Sequence, residues 1–198
     1  QKMTEQGLSG VIFDLFRSSG LKTKSTIAIK DLYNYIKNDY SSIAISFLEL
    51  EIAKFSDIKI KAVLLHNVIT DLLLSLRISK ILKDYMFLIE NKFKTKPGFI
   101  TLNFDLFKKS LEMWNLKSPL VMTPINHGGY DMNPSKNVVE EALKSYSGEV
   151  IAMNILGGGA FPLPLSYQYL KSFENIKYCV VGASSNEHLK ELIETFKK

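Results

Sequence analysis

Polar residues able to bind or activate a ligand stand where apolar runs of this sequence end. The set comprises Lys30; His66 and Asn67; Thr101 and Asn103; Asn126 and His127; Asn154 with Gly157, Gly158 and Gly159; and Gly182 with Ser184 and Ser185. A lysine or histidine can hold a proton beside a reacting group, and asparagine or serine can hydrogen-bond a ligand. Each also has an ordinary structural explanation: Lys30 can open a solvated loop, and His66 can be a hydrogen-bonded core histidine. Their recurrence at the ends of successive apolar runs favours one shared site.

Two of these segments place glycines beside groups that could hold an anion. The run VIAMNIL ends in Gly157–Gly159, which could cradle a phosphate or serve only as a flexible exit from a buried strand. Gly182 is followed by Ser184, Ser185 and a helical pattern. N–H groups at a helix N-terminus attract anions, aided by the helix dipole. A serine at that position can also simply cap the helix without any ligand.

Strands and helices that alternate along the chain must position these residues. Continuous apolar runs predict six strands, at about 25–29, 60–65, 98–102, 119–125, 149–154 and 177–182. Such runs are typical of strands buried on both faces, as in a parallel sheet covered by helices. The alternation indicates an α/β fold, either a (β/α)8 barrel of the TIM type or an open doubly wound sheet. No G-x-G-x-x-G follows a first strand, which favours the barrel. A phosphate in such barrels often lies between the loops after strands seven and eight, which makes the two glycine segments predicted neighbours.

The helical segments carry predictions of their own. GVIFDLFRSSG, SSIAISFLELEIAKF and the stretch 69–93 each read as one helix. Asn133 is expected to cap a helix with Pro134 in its first turn, and Pro164 suits the first turn of another. The last helix has its apolar residues on one face: Leu189, Leu192, Ile193 and Phe196.

Composition limits the class of protein. The 198 residues, 46% hydrophobic and 23% charged, fit a single globular domain over residues 1–198 or part of a larger one, and six predicted strands leave an eight-stranded barrel incomplete. A net charge of +5 from dispersed lysines argues against nucleic-acid binding. The longest apolar stretch, AVLLHNVITDLLLSL, is interrupted by polar residues, which argues against a membrane span. The lone Cys179 favours a reducing, cytoplasmic setting. No spacing of histidines or cysteines predicts a metal site.

The order of these segments resembles the aldo-keto reductase superfamily from its third barrel strand onward. STIAIK is similar to the family strand that ends in the catalytic lysine, and SFLELEIAKFSDIKIKAVLLHN to the stretch that ends in the catalytic histidine. GFITLNF, VMTPIN and VIAMNILGGG are similar to the family segments "GVSNF", "VQxPYN" and "VIAYSPLGGG". VVGASSNEHLKELIE is similar to "VxGASSPEHLEENI", which holds the adenosine and phosphate end of the cofactor.

The resemblance implies an oxidoreductase that transfers a hydride between NADP or NAD and a small-molecule carbonyl substrate. Lys30 and His66 would be catalytic, with the lysine lowering the pKa of a tyrosine general acid. The implied cofactor-binding residues are Asn103, Asn126, Asn154, Leu156, Gly157, Gly158, Gly182, Ser184, Ser185 and Glu187.

This sequence also departs from the family pattern. Met122 and Ile125 stand where the family has the glutamine and tyrosine of its nicotinamide pocket. The family's catalytic aspartate and tyrosine follow its second strand, which would precede Gln1. One alternative is therefore a divergent barrel of the same lineage that binds a nucleotide or phosphorylated ligand without redox chemistry. Another is a phosphate-handling barrel enzyme of a different family.

Overall fold

The computed structural model of the chain describes residues 40–55 and 57–197. The chain divides into two compact units, residues 1–60 and residues 61–198. In the first unit, helix α1 spans Tyr40–Ala53 and confirms the helix predicted there. The predicted strand at 25–29, the helix predicted for GVIFDLFRSSG and Lys30 lie outside the described residues. The assignment of one domain to residues 1–198 stays a prediction.

Strands and helices alternate through the described part of the second unit, with two successive helices between the first two strands and a single helix after each later strand. The strands are β1 (Ala62–Leu65), β2 (Lys96–Ile100), β3 (Leu120–Pro124), β4 (Val150–Met153) and β5 (Ile176–Cys179). The helices are α2 (Asn67–Ser75), α3 (Ser79–Asn91), α4 (Phe104–Met113), α5 (Lys136–Lys144), α6 (Leu163–Leu170) and α7 (Asn186–Phe196). Five of the six predicted strands are thereby confirmed.

The five strands form one parallel sheet in the order β1-β2-β3-β4-β5. Each strand therefore pairs with its neighbours in sequence. Parallel crossovers are almost always right-handed, so connections that all run in one direction carry their helices to the same face of the sheet. The carboxyl ends of all five strands meet at one edge.

Burial differs sharply between the two faces of this sheet. Phe99, Val121 and Val150 lie side by side in register and are fully buried. The neighbouring row on the opposite face runs Ile100, Met122, Ile151 and Tyr178 and is only half-buried, with Tyr178 exposed. The prediction of strands buried on both faces is therefore confirmed for β3, where Leu120 and Val121 are buried on opposite faces, but it is wrong for the row from Ile100 to Tyr178.

An aromatic cluster fixes helices α3 and α4 against the covered face. Tyr85 meets Phe99 edge-on at 5.2 Å between ring centroids, and Phe107 of α4 lies 5.4 Å from Phe99. Such pairs contribute roughly 0.5–1.5 kcal/mol beyond simple burial. The Tyr85 hydroxyl donates to the carbonyls of Val63 and Gly98, which ties α3 to both β1 and β2.

The structure corrects two helix predictions. The stretch 69–93 is not one helix: α2 ends at Ser75, and Arg77 adopts a left-handed backbone with φ 55° before α3 begins. The helix after β3 is capped by Ser135, whose hydroxyl accepts from Val138 N–H, and not by Asn133. The Asn133 amide instead donates to the carbonyl of Leu102.

The other helix predictions have mixed outcomes. Pro164 lies in the first turn of α6, as predicted. The apolar face of α7 is not buried, since Leu189, Ile193 and Phe196 stay 48%, 45% and 37% exposed. Across the described residues, every helix is too short or too polar to cross a membrane.

Candidate functional site

Two loops at the carboxyl edge of the sheet line a single groove of about 480 Å³, here called the carboxyl groove. The first is the glycine loop, residues 154–159, which follows β4. The second is the strap, residues 180–184, which follows β5 and leads into α7. The residues that line the groove are Asn154, Ile155, Leu156, Gly158, Gly159, Val180, Val181, Gly182, Ala183, Ser184 and His188. The structure thus brings together the two glycine segments singled out in the sequence.

The glycine loop uses its own N–H groups internally. Gly157 N–H donates to the Asn154 carbonyl at 2.9 Å, Gly158 N–H to Asn154 Oδ1 at 3.0 Å, and Gly159 N–H to the Leu156 carbonyl at 3.0 Å. A phosphate would have to break these bonds to be held by the triplet. The three glycine N–H groups are therefore not free for a ligand, and Gly158 and Gly159 keep the wall of the groove open because neither has a Cβ.

Phe161 explains the first glycine of the triplet. A Cβ at Gly157 would lie 2.5 Å from the Phe161 ring, and one at Gly128 would also collide with that ring. Phe161 therefore lies as a wedge between the loop after β3 and the glycine loop. The His127 ring packs edge-on against the same wedge, with 6.0 Å between centroids.

The strap offers N–H donors that the three glycines of the glycine loop do not. Within the part of the chain that the structure describes, the N–H groups of Gly182, Ala183 and Ser184 have no protein acceptor. Ser184 Oγ lies 2.8 Å from Nδ1 of His188, so the imidazole fixes the hydroxyl at the rim of the groove. Ser185 caps α7 by accepting from His188 N–H at 3.2 Å.

Charge is sparse around the carboxyl groove. His188 is the one ionisable side chain among its described lining residues. Glu187 lies at the start of α7, where its carboxylate accepts from its own backbone N–H and from the Ser185 hydroxyl, and these bonds hold its pKa below the usual range. Part of the positive end of the α7 dipole is therefore already occupied by a carboxylate.

The remaining predicted ligand residues serve local structure. His66 is exposed, and its Nδ1 accepts from Val68 N–H to cap α2. Asn103 caps α4 through Leu106 N–H. Asn126 is fully buried, and both ends of its amide bond the backbone of Tyr130, at 2.7 and 2.8 Å. In this structure these three side chains therefore act as caps and loop braces.

Two aspartates that the sequence reasoning missed link the loops. Asp71 accepts from the Thr101 hydroxyl and from Leu102 N–H, which joins α2 to the end of β2. Asp131 accepts from the Asn154 amide at 3.2 Å, which joins the loop after β3 to the glycine loop. The one available signal for Asp71 was its position as a carboxylate inside an otherwise apolar helix.

The described residues contain no candidate metal site and no activated thiol. Among them no group of three histidine, cysteine, aspartate or glutamate side chains could hold a metal ion. Cys179 is half-buried, and burial raises the pKa of its thiol, which disfavours the reactive thiolate.

In comparisons with known proteins, no family model, no curated protein and no solved structure matches this chain. The resemblance to aldo-keto reductases therefore stays a prediction.

Proposed function

We propose that the carboxyl groove binds the phosphate-bearing end of a nucleotide, on a barrel related to the aldo-keto reductases. One observation carries the proposal: loops from the neighbouring strands β4 and β5 share one groove, and three N–H groups of its strap have no acceptor among the described residues. The N–H groups of Gly182, Ala183 and Ser184 and the Ser184 hydroxyl are suited to phosphate oxygens. The open wall at Gly158 and Gly159 leaves room for a flat base or a ribose.

The strand order supports the barrel part of the proposal. A parallel sheet whose strands follow strict sequence order is the arrangement that a (β/α)8 barrel requires. A doubly wound sheet reverses its order at a switch point, and the five described strands show no such reversal. Barrel enzymes also place their ligands at the carboxyl ends of the strands, where the groove lies.

Hydride transfer is the more specific part of the proposal, and it depends on the resemblance. Lys30 and His66 would be the catalytic residues, NADP or NAD the cofactor, and a small carbonyl compound the substrate. His66 follows β1, four strand spacings from β5, or roughly 19 Å along the sheet. A ligand that reached from the groove to His66 would therefore be extended, as a dinucleotide is.

A second function, nucleotide binding without redox chemistry, is favoured by a separate observation. The side-chain amides of Asn103 and Asn126, which the resemblance assigns to the cofactor, are already bonded to backbone within the protein. Binding a nicotinamide through the Asn126 amide would require its bonds to Tyr130 to open, and binding through the Asn103 oxygen would uncap α4.

Titration of the purified chain with NADPH, NADH and ADP tests the proposal. Nicotinamide fluorescence and competition by ADP would report binding. Ser184→Ala should weaken binding by roughly three- to tenfold, the effect of one hydrogen bond. Ser172→Ala, at an exposed serine beyond α6, is the matched control.

Lys30→Met separates the two functions. If hydride transfer occurs, this variant should abolish turnover with little change in cofactor affinity. Absence of binding by all three nucleotides at high micromolar concentration would refute the proposal, and binding without turnover of any carbonyl compound would favour the second function.

A further inference from the structure

We propose that Asp131 is a positioning residue of the carboxyl groove, and that it acts on the glycine loop through Asn154. The functional half of this inference rests on the proposed nucleotide binding, whereas its structural half does not. Asp131 lies in the loop after β3 and is absent from the lining of the groove. Its effect on a ligand would therefore be indirect.

Hydrogen bonds join the three residues in series. Asn154 Nδ2 donates to Asp131 Oδ2 at 3.2 Å. On its other side, Asn154 Oδ1 accepts from Gly158 N–H at 3.0 Å. Asn154 and Gly158 both line the groove, so the last two members of the series lie where a ligand would be.

The carboxylate selects one orientation of the Asn154 amide. An ionised carboxylate only accepts hydrogen bonds, so it must face the NH₂ end of the amide. The carbonyl end then faces Gly158, whose N–H can only donate. Rotating the amide by half a turn would set oxygen against oxygen at Asp131 and donor against donor at Gly158. A single carboxylate therefore fixes the bond that closes the glycine loop.

The backbone conformation of Asp131 and Asn154 shows why the bond between Asn154 and Gly158 matters for the shape of the glycine loop. Asp131 has φ 59° and Asn154 has φ 54°, a left-handed conformation that most side chains avoid and that asparagine and aspartate tolerate. Gly157, Gly158 and Gly159 continue in the same region. Four of the six positions from 154 to 159 thus have a left-handed backbone that depends on local bonds, and without the Asn154 acceptor Gly158 N–H would turn to solvent.

Hydrogen exchange tests the structural half without any ligand. Asp131→Gly, which removes the carboxylate and suits the positive φ, should speed exchange of the Gly158 amide by roughly three- to tenfold, the equilibrium ratio of one hydrogen bond. Asp131→Asn should leave it unchanged, because the new amide oxygen still accepts from Asn154 Nδ2. Asn154→Gly, which also suits the positive φ, removes the acceptor itself and should reproduce the effect of Asp131→Gly. NMR of the full chain measures the exchange, and urea unfolding checks that the variants fold.

Nucleotide binding tests the functional half. NADH affinity should fall in Asp131→Gly by a factor similar to that for exchange, and it should be retained in Asp131→Asn. Unchanged Gly158 exchange in both Asp131→Gly and Asn154→Gly would overturn the inference. Faster exchange with unchanged NADH affinity would overturn its functional half. If the unmodified chain binds none of NADH, NADPH and ADP, the proposed function fails, and faster exchange would still support the hold of Asp131 on the glycine loop.

Discussion

Alanine substitutions at four glycines separate two physical reasons for a glycine. Gly157 has φ 55°, and its Cβ would lie 2.5 Å from the Phe161 ring. Gly158 has φ 71° with open space around it, so alanine there meets backbone strain alone. Gly128 meets Phe161 without a positive φ, and Gly182 meets neither obstacle. The four positions therefore form a complete set of controls.

The expected costs follow from these geometries. Left-handed backbone costs an L-residue about 1–2 kcal/mol, so Gly158→Ala should lose that much stability. Overpacking costs about 1–3 kcal/mol, which is the expectation for Gly128→Ala. Gly157→Ala meets both and should lose about 2–5 kcal/mol. Gly182→Ala should stay within about 0.5 kcal/mol of the unmodified chain.

Urea unfolding and thermal unfolding, both followed by circular dichroism, measure the stability lost in the four variants. For a chain of this size Gly157→Ala should lower Tm by roughly 4–20 °C. Replacing Phe161 by leucine should recover part of the loss in Gly157→Ala but none in Gly158→Ala, because the ring contacts only the first position. If Gly157→Ala is no more destabilising than Gly158→Ala, Phe161 moves aside freely and the wedge has no structural role.

Three further predictions concern the buried Thr101 hydroxyl, two buried tyrosines and Glu187 at the start of α7. Thr101→Val removes the hydroxyl that Asp71 accepts from, so it should cost about 1–3 kcal/mol in urea unfolding, whereas Thr101→Ser should retain most of the stability. Burial raises the pKa of Tyr85 and Tyr146 above the ordinary value of about 10. As pH rises, these tyrosines therefore lose their protons in the unfolded chain before they do in the folded chain. The free energy of unfolding should keep its full value below about pH 10 and fall above it. In Tyr146→Phe the fall in Tm should be shallower. The pKa of Glu187 is lowered in the folded chain, so its effect on stability has the opposite pH dependence. Ionised Glu187 should stabilise the fold above the usual glutamate pKa, and this stabilisation should be lost as pH falls. Glu187→Gln should therefore flatten the acid side of a plot of Tm against pH.

Much of the second unit could be predicted from sequence because continuous apolar runs identify buried strands directly. The half-open face could not, since its row of Ile100, Met122 and Ile151 is as apolar as the buried row beside it. The break at Arg77 was missed because neither glycine nor proline marks it. Asn133 and Ser135 both suit a helix cap, and the choice depended on a tertiary bond to Leu102.

In the candidate site too, features that depend on residues close in sequence could be predicted, whereas features that depend on tertiary contacts could not. Neighbouring glycine segments after successive strands were visible in the spacing of the sequence. The internal use of the glycine N–H groups was not, because it depends on the left-handed backbone of Asn154 and on which way its amide faces. Asp131 is 23 residues from Asn154 in sequence and has no motif around it.

The strand order has a consequence for how the chain acquires its structure. Every described strand hydrogen-bonds to strands adjacent in sequence, so the pairings close loops of one βα unit each. Short loops cost little entropy to close, and the sheet can be extended unit by unit as the chain emerges during synthesis. Deleting the chain from β5 onward should therefore leave the β1–β4 ladder with all of its own hydrogen bonds. In this respect the second unit resembles a linear array of repeats, in which each unit stabilises its neighbour.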